Sequence, residues 1–308
     1  MNPVPRGGGR APGRSAFARD LAGALFLLAV VANTALIVHT AQPWLRALLA
    51  LPQALLIGGC QEAKHLSVHG SFLSNRRAND IVGTVCAALF GVNFVAYRYF
   101  HLQHHRATCS DADPEGRLYA LSWRTRWVWL LAPLELPWVA FHINRTAWSM
   151  VPAARRSARR QALAGMLGVA ALLACCTWLA PRAVLWAYAI PLALHAWLDF
   201  VLTQAEHYGV AVASSNPRDP GAVTHDIALP FGLGWLNLHR SLHRVHHRHP
   251  GLPWYSAPTR LRNDPSAAPI SLTRFIRYWM KAGPRLWLTK SDAAPAGTAS
   301  LPCSTVAR

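Results

Sequence analysis

Acidic side chains are scarce in this chain. Thirteen Asp and Glu stand against 31 Lys and Arg in 308 residues, and charged residues of both signs reach only 14%. With 52% hydrophobic residues, the composition is too apolar for an ordinary soluble domain and points to a bilayer. The formal net charge of +18 comes without any RNA- or DNA-binding signature, so nucleic acid is set aside as a partner. The excess instead fits a cytoplasmic face, anionic lipid headgroups and an acidic electron carrier. None of the six cysteines forms a Cys-x-x-Cys pair, which argues against a disulfide framework and a thiolate-bound cluster. Also missing are the His-Glu-x-x-His zincin pattern, the full carboxylate set of a ferritin-like di-iron site and a Gly-rich dinucleotide fingerprint after a strand.

Long apolar runs are present. Leu21–His39 holds no Lys, Arg, Asp or Glu and is long enough to cross a bilayer. A return span is expected over 42–60, with Arg46 snorkelling and Pro52 as a kink, and a second pair over 161–180 and 182–202. Arg6, Arg10, Arg14 and Arg19 precede the first span, which places the N-terminus in the cytoplasm by the positive-inside bias; Arg155, Arg156, Arg159 and Arg160 before the third span agree. The basic segment 1–16 and the tail 289–308 read as disordered, leaving 17–288 as one membrane domain.

Three histidine clusters stand out: His65-Leu-Ser-Val-His69, His101-Leu-Gln-His104-His105 and His243-Arg-Val-His246-His247. At this histidine content a random chain would hold roughly 0.04 copies of His-x-x-His-His, and here there are two, so chance is a poor explanation. Residues i and i+4 share a helix face, which lets His65 meet His69, His101 meet His105 and His243 meet His247. Eight histidines exceed the four to six ligands of one ion and favour two metals. A shared metal site also requires all three clusters on one side of the membrane. The apolar stretch Ile81–Tyr97 should therefore lie at the interface or re-enter, and Trp127–Ile143, with Pro133, Glu135 and Pro137, is not a simple span. The fold expected is all-α and integral to the membrane: four transmembrane helices in two hairpins, interfacial helices and a cytoplasmic histidine-rich cap.

Several other groups are candidates for orienting an imidazole or a substrate. Asp113 and Glu115 follow the second cluster, where a carboxylate could fix a ring tautomer; Glu62 and Asp80 are weaker cases. His195 and Asp199 lie one helical turn apart on the fourth span, and His239, ahead of the third cluster, is a candidate accessory ligand. Arg240, Arg244 and Arg248 intersperse that cluster, so a plain basic patch competes with a metal role there.

The sequence resembles the membrane fatty acid desaturase superfamily over roughly 51–262. The segments HGSFLSNRRANDIVG, YRYFHLQHHRATCSDADPEG and HRVHHRHPGLPWYSAP carry the likeness beyond the histidines themselves. The resemblance implies a non-haem di-iron centre on the cytoplasmic side, with His207 in TQAEHYGV as a ninth ligand. Thr203 stands where some relatives place Asn, and Ser241 where many desaturases do, so the likeness thins at both.

The implied chemistry uses O2 and two electrons to break an unactivated C–H bond. Its first form is desaturation of an acyl-lipid or acyl-thioester, in a tunnel lined by apolar residues. Its alternative is a hydroxylase or ketolase acting on a carotenoid, alkane or specialised lipid. A non-catalytic metal-binding or transport protein is a third reading. With no fused redox module apparent, electrons should come from a ferredoxin-like or cytochrome b5-like carrier and its reductase, guided by the basic face.

Overall fold

The computed structural model describes residues 13–117, 129–130, 132–213, 216–264 and 268–285. Most of the two tails expected to be disordered lies outside these residues. The described chain is mostly helical, and four of its helical stretches are long and apolar enough to cross a membrane: Ser15–His39, Pro43–His69, Ala153–Leu179 and Pro181–Glu206.

Helix α1 (Gly13–His39) and helix α2 (Pro43–His69) each have 27 residues and are joined by three. At 1.5 Å per residue each is about 40 Å long, against ~30 Å of hydrocarbon, so each has turns to spare beyond the bilayer. Leu25, Leu28 and Val31 of α1 are exposed, as lipid-facing side chains would be. Two amide side chains stitch the pair together. Asn33 donates to the Gln53 Oε1 (2.7 Å) and the Leu49 carbonyl, and Gln53 donates to the Thr34 hydroxyl (2.9 Å). Helix α2 runs through Pro52 and stops at Gly70, whose φ of 68° suits glycine. At Gly59 there is no room for a side chain: a Cβ would sit 2.5 Å from the Leu236 carbonyl and from the Phe26 ring.

The Ile81–Tyr97 stretch is not one element. Helix α3 (Arg76–Ala88) ends before residues 89–93, and helix α4 (Phe94–Ala107) begins after them. At 13 and 14 residues neither is long enough to span. Asn93 starts α4 by accepting from the Ala96 amide (3.0 Å), and this start fixes the register of the second histidine cluster. The same residue ties α4 to its neighbours, through Asn144 Oδ1 (2.8 Å) and the Arg159 carbonyl (3.0 Å). Helix α5 (Ala132–Met150) takes up most of the second ambiguous stretch and is not among the four long apolar helices; Trp127, Val128 and Leu131 lie outside the described residues.

Helix α6 (Arg156–Leu179) packs on α3 and α4, with Leu167, Leu172 and Trp178 exposed. The last long stretch is helix α7 (Pro181–Val184), a π turn over Leu185–Ala189 and helix α8 (Ile190–Glu206), which packs on α2 and α5. Beyond it come strand β1 (Ile227–Ala228), helix α9 (His243–Arg248), helix α10 (Ala257–Arg262), strand β2 (Ile270–Ser271) and helix α11 (Leu272–Ala282). The strands pair in parallel, Ile227 opposite Ile270. Trp279 of α11 donates to Gln204 of α8 (2.9 Å), which closes this end of the fold.

Candidate metal centre

Nine histidines gather into two all-nitrogen groups. His65 and His69 from α2, His101 and His105 from α4, and His246 from α9 form one. His104 from α4, His207 just after α8, and His243 and His247 from α9 form the other. Within each group the ligand atoms lie within 4.8 Å of one another. Each His-x-x-His-His segment is thus divided: its i, i+4 pair turns to one group and the middle histidine to the other. Spacing alone predicts the pairs, while the division of each segment between the two groups shows only in the packed structure.

The short helix α9 is held by charge. Asp226 accepts from the backbone amides of Arg244 (2.9 Å) and Val245 (3.2 Å) and pairs with the Arg244 guanidinium (3.3 Å). Arg248 pairs with Asp219 (2.8 Å) and Asp264 (3.1 Å). Arg240 pairs with Asp199 and with Glu206 (3.4 Å). All three arginines around the third histidine cluster are therefore engaged with carboxylates, which removes the basic-patch reading.

Several ring nitrogens are fixed from behind. His65 Nδ1 donates to Glu62 (2.8 Å), His104 Nδ1 to Asp113 (2.9 Å) and His207 Nδ1 to the Val223 carbonyl (2.8 Å). An Nδ1–H held this way leaves the Nε2 lone pair free for a metal. The Nε2 atoms meet: His69 and His101 at 2.9 Å, His105 and His246 at 3.0 Å, His243 and His247 at 3.0 Å, His104 and His247 at 3.3 Å. Two nitrogens bound at right angles to one ion by ~2.1 Å bonds stand roughly 3.0 Å apart, so the spacing suits a shared cation. The Nε2 of His65 is buried with no hydrogen-bond partner, a cost that a bound metal would relieve. The residues present therefore fit a metal pair.

Protonation agrees for most of the set. Burial, reinforced by neighbouring imidazoles, holds His101, His243, His246 and His247 well below the usual histidine range. Burial likewise brings His105 down to about 2 and His207 to about 3. Such rings are neutral at pH 7, the form that binds metal. His104 is the exception: burial opposes its charge, but Glu115 and Asp113 outweigh burial and raise it to about 9.

Asp113 and Glu115 both face His104, Glu115 at 3.5 Å from its Nδ1. Burial pushes the Glu115 carboxyl up to about 7, although the nearby His104 works against this. Asp199, a candidate for orienting ligands or substrate, and His239, a candidate accessory ligand, make no hydrogen bond or ion pair to a clustered histidine among the described residues. Asp199 accepts from Gln61 (2.9 Å) and Arg240, and His239 packs between Trp235 and Trp254. Asp80 pairs with Arg98 instead. His195 binds the Gln61 side chain (2.8 Å). The residue undervalued from sequence is Glu62; its place three residues before His65, a Glu-x-x-His spacing, is the signal that would have raised it.

A family model described as fatty acid desaturase matches residues 42–288. A comparison with curated proteins finds no match. The matched region takes in all nine clustered histidines and three of the four long apolar helices in full, and on that basis the chain belongs to the fatty acid desaturase family.

Proposed function

We propose that the protein is an O2-dependent membrane desaturase with two non-haem irons. His65, His69, His101, His105 and His246 would hold one ion, and His104, His207, His243 and His247 the other. The observation that carries this reading is the pair of adjacent all-histidine groups, contributed by four separate segments inside the family match. Imidazole suits iron as well as zinc and copper, and family membership favours iron. When bound, the reduced ions supply the site at which O2 is activated against an unactivated C–H bond. For desaturation O2 accepts four electrons, two from the substrate's C–H bonds and two from an external carrier, and leaves as two waters.

The chain's own residues position this chemistry. Glu62, Asp113 and the Val223 carbonyl aim three imidazoles, and Asp226 holds α9 so that its three histidines reach both groups. Arg240 keeps Asp199 and Glu206 tied beside the histidines. The cytoplasmic placement of both termini and the metal centre, with the four long helices as two hairpins, rests on the arginines before the first and third spans. The basic surface would steer an acidic ferredoxin-like or cytochrome b5-like donor.

The test is iron-loaded protein in nanodiscs with reductase, carrier, O2 and a panel of extracts, followed by product mass. Loss of two hydrogens supports desaturation, while gain of one oxygen overturns it in favour of hydroxylation. Purified protein carrying zinc and no iron would remove the oxidative reading altogether.

A further inference from the structure

Helix α8 has two working faces. Asp199, Thr203 and Glu206 line the cavity beside the histidines, whereas Trp197, Phe200, Val201 and Gln204 line a separate groove of about 270 Å³. With 3.6 residues per turn the two sets fall on opposite sides of the helix. Helix α11 forms the facing wall of the groove, and Trp129 closes its side. The body of α8 therefore separates anything held in this groove from the metal centre.

Among the described residues the groove is lined by no charged side chain, and Gln204, 0% exposed, brings its amide. An indole N–H can only donate, so the Gln204 oxygen is the atom that accepts from Trp279 Nε1 (2.9 Å), which fixes the amide's orientation. Its Nε2 is then left buried with no hydrogen-bond partner among the described residues. A buried donor without an acceptor is costly, and an apolar wall supplies none. The groove thus suits a neutral, apolar ligand that carries an acceptor oxygen at one end. Gln204 stands two residues from the end of the long stretch Pro181–Glu206, at the level of the histidines. Trp197 lies seven residues earlier, ~10 Å deeper along the helix, where its indole donates to the Trp129 carbonyl (3.0 Å). The acceptor end of the ligand is therefore at the membrane surface and its apolar part runs inward.

Helix α11 indicates which apolar ligand this is. Phe275 and Trp279 face the protein, Ile276 and Met280 are exposed beside the groove, and Arg274, Arg277 and Lys281 are exposed on the side opposite Trp279. A helix so divided lies in the plane of the interface, with its apolar flank among acyl chains and its basic side drawn to anionic headgroups. Arg277 is one turn from Met280, so the basic side begins at the rim of the groove. We propose that the groove holds one acyl chain of a resident anionic glycerophospholipid. Its ester carbonyl accepts from Gln204 Nε2, its chain follows α8 down to Trp197, and its headgroup lies beside Arg274 and Arg277. The lipid is a bound component and not the substrate, whatever reaction the metals run.

Lipid retention tests this without reference to turnover. The full chain is purified in detergent and stripped of lipid. It is then titrated with phosphatidylglycerol, with the same lipid carrying ether-linked chains, and with phosphatidylcholine of the same ester chains, bound lipid being counted by native mass spectrometry. One phosphatidylglycerol should bind, about five-fold tighter than its ether analogue, which lacks the carbonyl, and tighter than phosphatidylcholine. Gln204→Leu should erase the ester preference, and the double variant Arg274→Gln, Arg277→Gln the headgroup preference alone. Val201→Trp, at a half-buried position, fills the groove and serves where Gln204→Leu fails to fold; it should abolish the retained lipid. Equal binding of ester and ether lipids by the unaltered chain, phosphatidylcholine held as tightly as phosphatidylglycerol, or a lipid retained by folded Val201→Trp protein would each overturn the proposal.

Discussion

Replacing Asp113 by Asn would separate two effects that act on the same imidazole. Asp113 accepts from His104 Nδ1 (2.9 Å) and the Cys109 amide (2.8 Å), both buried, and from the part-buried Glu115 amide (2.9 Å). Losing an orienting carboxylate of this kind typically costs ~10–100-fold in metal affinity, or roughly 1.4–2.7 kcal/mol at 1.36 kcal/mol per decade. The opposing effect comes from the proton. His104 sits at about 9 in the metal-free protein, so at pH 7 a metal must displace a proton held two pH units above the medium. That displacement costs roughly 3 kcal/mol at pH 7 and little at pH 9. The sign follows: wild-type affinity at the four-histidine group should rise nearly ten-fold per pH unit from 7 to 9. In Asp113→Asn the slope should be shallower, because one of the three carboxylates raising His104 is gone while Glu115 and Glu206 remain. The deficit of the variant should therefore be largest near pH 9 and smallest near pH 7. Competition against a chelator of known affinity, read at both pH values, measures it. A deficit that is larger at pH 7, or parallel slopes for both proteins, would refute the reasoning.

Glu62→Gln should weaken metal retention about ten-fold at the five-histidine group and leave the other group loaded, as seen by iron count and by a spectroscopic signature of a single ion. Arg240→Met leaves Asp199 and Glu206 buried without their cation, and should destabilise by ~3–5 kcal/mol in a thermal melt; adding Asp199→Asn should recover part of the loss. Asp226→Ala removes the acceptor for two α9 amides and the partner of Arg244, and should deplete both ions together, since α9 supplies histidines to each; retention of either ion at wild-type level would count against that dependence.

The histidines were the legible part because spacing carries their geometry. A helix puts His101 beside His105 and His243 beside His247 whatever surrounds it, and the structure keeps these pairs together. The four long apolar runs were equally readable from hydropathy. What sequence could not give was which side chains lie behind the rings. Asp113 was found because it lies close in sequence to His104, whereas the Val223 carbonyl behind His207 has no side-chain signature at all. The surroundings of Asp199 and His239 were hidden for a related reason: the first is held by Arg240 and Gln61 and the second packs against two tryptophans, none of which spacing reveals.

The amide contacts among Asn33, Thr34 and Gln53 act on the height of the metal centre. In hydrocarbon, smooth aliphatic helix faces slide past one another at little cost, whereas an interhelical hydrogen bond of ~0.6–1.7 kcal/mol favours a single alignment. Gln53 is 12 residues before His65 on one unbroken helix, a rigid rod of about 18 Å. The first two spans thus work as a depth gauge: with Gln53 engaged by Asn33, the height of His65 and His69 along α1 is set without any contact from α4 or α9. A slip of one turn between α1 and α2 would misplace those two imidazoles by ~5.4 Å, more than the full 4.8 Å spread of the group they complete.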